Sequence, residues 1–152
     1  EAMECLGGNG YVEEHGEGVM ARIYREMPVN SIWEGAANIQ ALDLLRALRT
    51  GPVADSLMHE TADARAARAD VQRLGERVRG GLDGATGEPE ARRLARDVAL
   101  LVQASLLQRS APAAVFDAFC AGRIGDASDV FGALPAGLDL DAVITRAMPW
   151  EA

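Results

Sequence analysis

The chain has 152 residues and a formal net charge of −8 at pH 7. That length allows one hydrophobic core of moderate size, and 49% hydrophobic with only 5% aromatic residues favours packing of Ala and Leu on helices over a β-sheet. The negative charge disfavours nucleic acid as a partner, because binding to phosphates requires many cations. All fifteen basic residues are Arg, which excludes a Schiff-base lysine and the lysine of a phosphate-binding P-loop.

Several other kinds of site lack their residues. His15 and His59 lie far apart and form no His-Glu-x-x-His pattern, so we predict no metal site. Cys5 and Cys120 are isolated thiols, and we expect both to be buried as small hydrophobic side chains. No apolar run reaches the roughly 18 residues that a membrane span needs, and the chain starts with acidic rather than basic residues. We therefore expect a cytoplasmic protein without membrane insertion.

The first third of the chain is predicted to form short helices separated by turns. Glycines adopt positive φ easily, and a proline ends a helix that precedes it. In chain order we expect the end of a helix at residues 1–6, a turn at Gly7-Gly8-Asn9-Gly10, an acidic surface loop at 12–18, a helix at 19–26 closed by Pro28, an extended or loosely turned segment at 29–33, and a helix at 38–48 that stops at Gly51-Pro52.

The remaining two thirds show apolar residues at three- and four-residue steps, which is typical of amphipathic helices. The predicted elements are one long helix at 53–82, a glycine-rich linker at 80–87, a helix from Glu88-Pro89-Glu90 to about Arg109, a helix that begins at Pro112, and a last helix at 139–148. The apolar faces of the long helices require one another. The sequence therefore predicts an all-α fold, an antiparallel helical bundle.

One carboxylate, Glu34, has neighbours that suit a general base. Ile32 and Trp33 would exclude water from it and make it a stronger base, while Gly35 would let a ligand approach the backbone. A structural alternative stays open at this stage. Acidic residues favour the first turn of a helix, and Glu34 precedes a predicted helix.

Three motifs in the same order resemble the C-terminal part of acyl-CoA dehydrogenases: residues 4–11, 21–26 and 32–35. The resemblance is closest to the branch that includes the alkylation-response, AidB-like flavoproteins, which residues 111–120 also resemble. Members of the family have an N-terminal helical domain, a middle β-domain that holds the flavin ring, and a C-terminal helical bundle. The resemblance implies that residues 1–152 are a single helical domain of a larger flavoprotein, with a flavin- and substrate-contacting segment at 1–51 and a helical extension at 53–152.

The resemblance also implies FAD as the cofactor, an acyl-CoA substrate, an electron-transfer acceptor and a homo-oligomer. Glu34 matches the base that removes the α proton, and Gly35 would line the substrate. The predicted FAD contacts are Gly7, Gly8, Ala36 and Asn38. Many members have Thr-Ser-Gln where this chain has Ala36-Ala37-Asn38, so a hydroxyl is lost while an amide is kept. In some relatives the base lies on another helix. Because the rest of the flavin site lies outside this segment in the family, we also expect the isolated chain to be inactive.

Two other functions stay open. The first is a non-catalytic helical module for oligomerisation or interaction. The second is a DNA-protecting flavoprotein that uses the Arg-rich segment at residues 63–96. Against the second, the interleaved acids are typical of a solvated helix face with ion pairs; they are Asp70, Glu76, Glu88 and Glu90.

Overall fold

The computed structural model describes residues 1–13, 19–50, 52–125 and 132–148. These ranges contain helices and turns and no β-strand, which confirms the all-α prediction. The α-helices are α1 (Ala2–Cys5), α2 (Val19–Glu26), α3 (Ala37–Leu48), α4 (Val53–Glu60), α5 (Ala62–Ala67), α6 (Ala69–Gly80), α7 (Ala91–Ser110), α8 (Ala113–Arg123) and α9 (Leu140–Ala147). Short 3₁₀ turns lie at Gly7–Tyr11, Met27–Ser31 and Glu88–Glu90, and a wider π turn lies at Gly81–Ala85.

The chain divides into two compact units, and the buried residues described in the first, Glu1–Ala41, are all small. They are Gly10, Ala21 and Ala41. A unit of this kind gains little from the hydrophobic effect, which scales with the apolar area removed from water. Most of its large apolar side chains are instead exposed: Leu6, Tyr11, Val12, Val19, Tyr24, Met27, Val29, Ile32, Trp33 and Ile39.

The second unit, Leu42–Ala152, has a core of large aliphatic side chains. Val71, Leu74 and Val78 of α6 and Leu101 of α7 are fully buried. Helix α6 packs against α5 and α7, and α7 also packs against α8, which adds Phe116 and Cys120 to the core. The predicted association of the long apolar faces is therefore confirmed for α6, α7 and α8.

The prediction of one continuous helix over residues 53–82 is wrong. The segment forms α4, α5 and α6, with breaks at Thr61 and Arg68. The buried Thr61 hydroxyl donates to the carbonyl of Leu57 at 2.9 Å and competes with the continuing helix. Arg68 is extended, with φ −148° and ψ 137°, and its guanidinium binds a carboxylate of α8. The apolar period runs through both breaks and therefore does not reveal them.

The predicted linker at residues 80–87 is also mostly helical. Gly80 ends α6, the π turn follows, and only Thr86 and Gly87 are extended. An ideal Cβ on Gly81 would lie 2.8 Å from Cδ1 of Leu94, so a larger residue there would require the Leu94 side chain to shift. Gly81 thus lies close to α7, in a helical turn and not in an extended linker.

Residues 29–33, expected to be either extended or loosely turned, are turned. Met27–Ser31 is a 3₁₀ turn, and the N–H groups of Ile32 and Trp33 both donate to the carbonyl of Val29, at 3.0 and 2.9 Å. Proline is tolerated at the start of a helical turn, and Pro28 occupies that position. Pro28 therefore begins a second turn after α2 rather than an extended segment.

The other elements agree with the sequence. Helix α2 has the predicted bounds, α3 begins one residue earlier than predicted, and α7 and α8 follow Glu88–Glu90 and Pro112 as expected. The carboxylate of Asp139 accepts from the N–H of Ala142 at 3.0 Å and caps α9. Most of the predicted acidic loop, residues 14–18, and Gly51 lie outside the described residues.

We predict that Gly75→Ala destabilises the 152-residue chain. The Arg65 side chain crosses Gly75, so an ideal Cβ would lie 2.2 Å from its Cδ, and the guanidinium is held by the carbonyl of Met58 at 2.8 Å. Alanine ordinarily stabilises a helix interior relative to glycine by about 1 kcal/mol. The clash should reverse that sign and cost about 1–3 kcal/mol in the free energy of unfolding, measured with urea.

The matched control for this prediction is Gly80→Ala. An ideal Cβ on Gly80 meets no atom within 4 Å, so this change should be neutral or stabilising. Adding Arg65→Ala to Gly75→Ala should remove the clash and reduce the loss that Gly75→Ala adds. A Gly75→Ala chain as stable as Gly80→Ala would contradict the packing described.

Candidate functional site

Glu34 lies in a tight turn before α3 and adopts a left-handed conformation, with φ 64°. This conformation costs a non-glycine residue roughly 1–2 kcal/mol and is often found at functional sites. Gly35 follows with φ 118°, which suits glycine. Since α3 begins at Ala37 and has no acidic residue in its first turn, Glu34 does not open the helix, and the structural alternative for this residue is wrong.

Hydrogen bonds fix this turn on both sides of Glu34. The side-chain amide of Gln40 donates to the carbonyl of Gly35 at 2.9 Å and to that of Trp33 at 3.4 Å. The N–H of Gly35 donates to the carbonyl of Ile32 at 3.2 Å. Gln40 was not predicted from the sequence, where its signal is an amide side chain in the first turn of the helix after Glu34-Gly35.

The expected shielding of Glu34 by its apolar neighbours is absent from this chain. The side chains of Ile32 and Trp33 are 61% and 59% exposed, and Glu34 is exposed as well. Water therefore reaches the carboxylate in the described structure. Exclusion of that water requires a surface that residues 1–13 and 19–41 do not supply.

The predicted FAD contacts are all accessible. Gly7 has φ 60°, and an ideal Cβ on Gly7 or Gly8 meets no atom within 4 Å, so the backbone of this 3₁₀ turn is open to a ligand. Ala36 and Asn38 are also exposed, Asn38 with its amide in the first turn of α3. Open backbone N–H groups and an amide fit the polar edge of a dinucleotide.

The structure brings only some of the predicted residues together. Glu34, Gly35, Ala36 and Asn38 form one continuous surface segment. Gly7 and Gly8 lie in a separate turn, and among the described residues no hydrogen bond joins that turn to residues 34–38. Two clefts among the described residues lie away from this segment: one of about 300 Å³ is lined by Arg77, Arg93 and Asp97 among others, and one of about 250 Å³ by Arg68, Ala69, Asp70 and Arg73.

The Arg-rich segment at residues 63–96 contains several ion pairs, as its mixture of basic and acidic residues predicts. Arg68 binds Asp70 and Asp117 at 2.8 Å each. Arg77 binds the buried Asp97 of α7 at 3.1 Å. Arg79 lies 3.3 Å from Asp55 of α4. Most of these acids come from other helices, so the sequence indicated the pairing but not the partners.

Burial and pairing shift the ionisation of three groups near the start of α6. The hydrogen bond from Arg68 lowers the pKa of Asp70, and Asp70 in turn raises the pKa of Arg68. Burial raises the pKa of the Cys120 thiol to about 12, so this cysteine stays protonated. Cys120 is buried as predicted, whereas the expectation for Cys5 is wrong because that thiol is exposed.

We predict that Asp70→Asn lowers the free energy of unfolding by about 2 kcal/mol at neutral pH. The Asp70 side chain is only 11% exposed, and the substitution leaves Arg68 with a weaker hydrogen-bond partner. The pKa of Asp70 is lower in the folded chain. Its charge therefore stabilises the fold above the ordinary Asp pKa near 4, and this contribution is lost as pH falls through the folded pKa. Asp70→Asn should flatten that acid loss, measured by urea unfolding from pH 7 to 2.

Asp43→Asn is the control for the Asp70 prediction. Asp43 forms an exposed pair with Arg46 within α3, and pairs of this kind contribute less than about 1 kcal/mol. It should change stability little at any pH. Equal effects of Asp70→Asn and Asp43→Asn on stability would show that the Arg68 cluster, which consists of Arg68, Asp70 and Asp117, does not stabilise the break between α5 and α6.

Among the described residues, no three His, Cys, Asp or Glu side chains are grouped as ligands for a metal ion. No helix in the described part of the chain combines the length and apolar character needed to cross a bilayer.

Residues 1–49 match the family model of the acyl-CoA dehydrogenase C-terminal domain. The matched range includes all three motifs quoted from the sequence, the 3₁₀ turn at Gly7–Tyr11, the Glu34 turn and α3. The resemblance to the C-terminal part of acyl-CoA dehydrogenases is confirmed over this range. The resemblance of residues 111–120 lies outside it and stays a prediction.

Two curated relatives are similar to this chain over 48 and 46 residues. "Putative acyl-CoA dehydrogenase AidB" of Escherichia coli (strain K12) is 65% identical over 48 residues, which are 32% of this chain and 8% of the relative. "Acyl-CoA dehydrogenase family member 11" of Caenorhabditis elegans is 44% identical over 46 residues, 30% of this chain and 7% of the relative. The match thus spans less than a tenth of either relative. No solved structure matches the chain with significance.

Proposed function

We propose that this chain supplies the α-proton-abstracting base, Glu34, and part of the FAD contacts of an acyl-CoA dehydrogenase that oxidises the bond between carbons 2 and 3 of an acyl-CoA thioester. One observation carries the proposal. The family match over residues 1–49 coincides with the turn in which Glu34 is held in a left-handed conformation. A strained, exposed carboxylate at that position supports the role of base.

The reaction requires two groups from the turn, a base and a hydrogen-bond donor. The hydrogen on the carbon beside a thioester is a weak acid, so a carboxylate must be aimed at it and the developing enolate oxygen must receive a hydrogen bond. Glu34 offers both groups. Its carboxylate would accept the proton, and its backbone N–H, which donates no hydrogen bond within the described part of the chain, would donate to the thioester oxygen. Gly35 would line the substrate.

The cofactor contacts follow from the open backbone and amide groups. Gly7 and Gly8 would contact the FAD of a neighbouring subunit through their backbone, which requires a homo-oligomer. Asn38 would donate its amide to the FAD of its own subunit, next to Ala36. When bound, FAD would take a hydride from the β carbon and later pass its electrons to a separate acceptor. A cytoplasmic location stays a prediction.

The water around Glu34 must be removed for the base to act efficiently. Ile32 and Trp33 present apolar surface beside the carboxylate but are exposed in this chain. The matched segment is only 8% and 7% of the two relatives. We therefore place the covering surface outside residues 1–41, on other polypeptide of the full-length protein or on another subunit.

A non-catalytic interaction module is the second candidate. The second unit supports it, because residues 42–148 contain the large aliphatic core and none of the predicted site residues. This alternative predicts a stable helical unit without flavin. It also predicts that activity in the full-length protein does not depend on Glu34.

We predict that Glu34→Gln in the full-length protein retains FAD and lowers turnover of a saturated acyl-CoA by about 10²- to 10⁴-fold, the usual contribution of a positioned general base. Glutamine keeps the size of the side chain and removes only the basic oxygen. Flavin absorbance gives the FAD content, and the rate of enoyl-CoA formation gives turnover.

Glu76→Gln is the matched control for the base. Glu76 is exposed on α6 and accepts a hydrogen bond from Gln72, so the same substitution there should leave turnover unchanged. Turnover by Glu34→Gln within about twofold of the Glu76→Gln value would remove Glu34 from the mechanism and favour the interaction module.

A further inference from the structure

We infer that Gln40 is the positioning residue of this site: its side-chain amide holds Glu34 in the left-handed conformation and aims the backbone N–H of Glu34 toward the thioester oxygen. The inference rests on the proposed function and adds a residue to it. Gln40 touches neither of the reacting carbons in this scheme. It acts through the backbone of Glu34.

The hydrogen bonds of Gln40 bracket the Glu34-Gly35 dipeptide. One accepting carbonyl belongs to Trp33, immediately before Glu34, and the other to Gly35, immediately after. The distances are 3.4 and 2.9 Å, so the bond to Gly35 is the shorter of the two. A primary amide has two N–H donors, and these two acceptors use both of them. With the carbonyls on both sides fixed, rotation of the backbone at Glu34 is restricted.

The longer bond, to Trp33 at 3.4 Å, also favours one direction for the N–H of Glu34. The carbonyl of Trp33 and the N–H of Glu34 belong to one planar trans peptide and point in opposite directions. Because the carbonyl faces Gln40, the N–H faces away from Gln40 and α3. A hydrogen bond accepted by the carbonyl also polarises the peptide and strengthens its N–H as a donor.

Gln40 is itself anchored on a regular element. It lies in the first turn of α3, where its own N–H donates to the carbonyl of Ala36 at 3.2 Å. The turn also lies close against this helix, since an ideal Cβ on Gly35 would lie 3.2 Å from Cγ2 of Ile39. A catalytic group held by a helix keeps its geometry better than one held by a loop alone.

The test compares Gln40→Met and Gln40→Glu in the full-length protein. Both changes keep the approximate length of the side chain, and both remove the two donors, while the glutamate carboxylate also repels the two carbonyls. We expect KM and FAD content within twofold of the unchanged protein and kcat lowered at least tenfold, more by Gln40→Glu than by Gln40→Met. The matched controls, Gln103→Met and Gln103→Glu on the exposed surface of α7, should leave all three values unchanged.

A merely structural role gives a different pattern. If Gln40 only stabilises the fold, FAD content and apparent Tm fall together with kcat, and kcat per bound FAD stays constant. That result would overturn the inference. A kcat per bound FAD within twofold of the unchanged protein in both Gln40 variants would overturn it equally.

A second measurement separates this inference from the proposed function, because it needs no turnover. Glu34→Gly should raise the apparent Tm of the full-length protein, since glycine adopts positive φ without strain. If Gln40 imposes that conformation, the gain should fall below half in the Gln40→Met background. An equal gain in both backgrounds would overturn the positioning role even where Glu34→Gln abolishes turnover. Normal turnover by Glu34→Gln with a reduced gain would instead overturn the catalytic proposal while leaving Gln40 as the residue that holds the turn.

Discussion

The positive φ of Glu34 is the constraint on which the functional part of this chain depends. A right-handed backbone at this residue would continue the preceding turns into α3 and place the carboxylate on the side of a helix. The left-handed residue instead separates the 3₁₀ turn from α3 and leaves both the carboxylate and the backbone N–H exposed. Its local cost is small beside the barrier reduction that a well-placed base provides. A strained residue inside a family match therefore supports a functional role more strongly than the strain or the match alone.

The two units of the chain differ in what makes them stable. The second unit buries Leu and Val side chains between α6, α7 and α8, and the Arg68 cluster joins the break before α6 to α8. Among the described residues, the first unit buries Gly10, Ala21 and Ala41 and exposes most of its aromatic and long aliphatic residues. Exposed apolar surface of this kind is typical of binding and interaction sites. The segment with the predicted chemistry is thus the part of the chain least able to provide its own environment.

The sequence predicted the elements whose signals are local. The bounds of α2, the start of α7 after Glu88-Pro89-Glu90 and the start of α9 next to Asp139 all depend on residues within one or two turns. The helix over residues 53–82 was wrong because its apolar period continues through the breaks at Thr61 and Arg68, and one ion partner of Arg68, Asp117, lies 49 residues further along the chain. The pairs of Arg77 with Asp97 and of Arg79 with Asp55 are non-local as well, while Arg79 also lies 3.7 Å from the local Asp83.

The candidate site was predictable to a similar extent. Glu34 and Gly35 stand out by residue type and by family resemblance. Gln40 does not, because its two acceptors come together only after Glu34 has adopted a positive φ, which propensity does not predict for glutamate. The shielding expected from Ile32 and Trp33 was wrong for this chain because adjacency in sequence does not bury a side chain without a surface to pack against.

The most direct test of the account separates proton removal from flavin chemistry. The full-length protein would be incubated in D₂O with 3,3-dimethylbutanoyl-CoA, which has hydrogens on its α carbon and none on its β carbon, and deuterium at the α carbon would be followed by mass spectrometry. If Glu34 is the base, the unchanged protein catalyses this exchange, and the exchange is lost when Glu34 is replaced by alanine. Exchange at an undiminished rate in the alanine variant would contradict this role of Glu34.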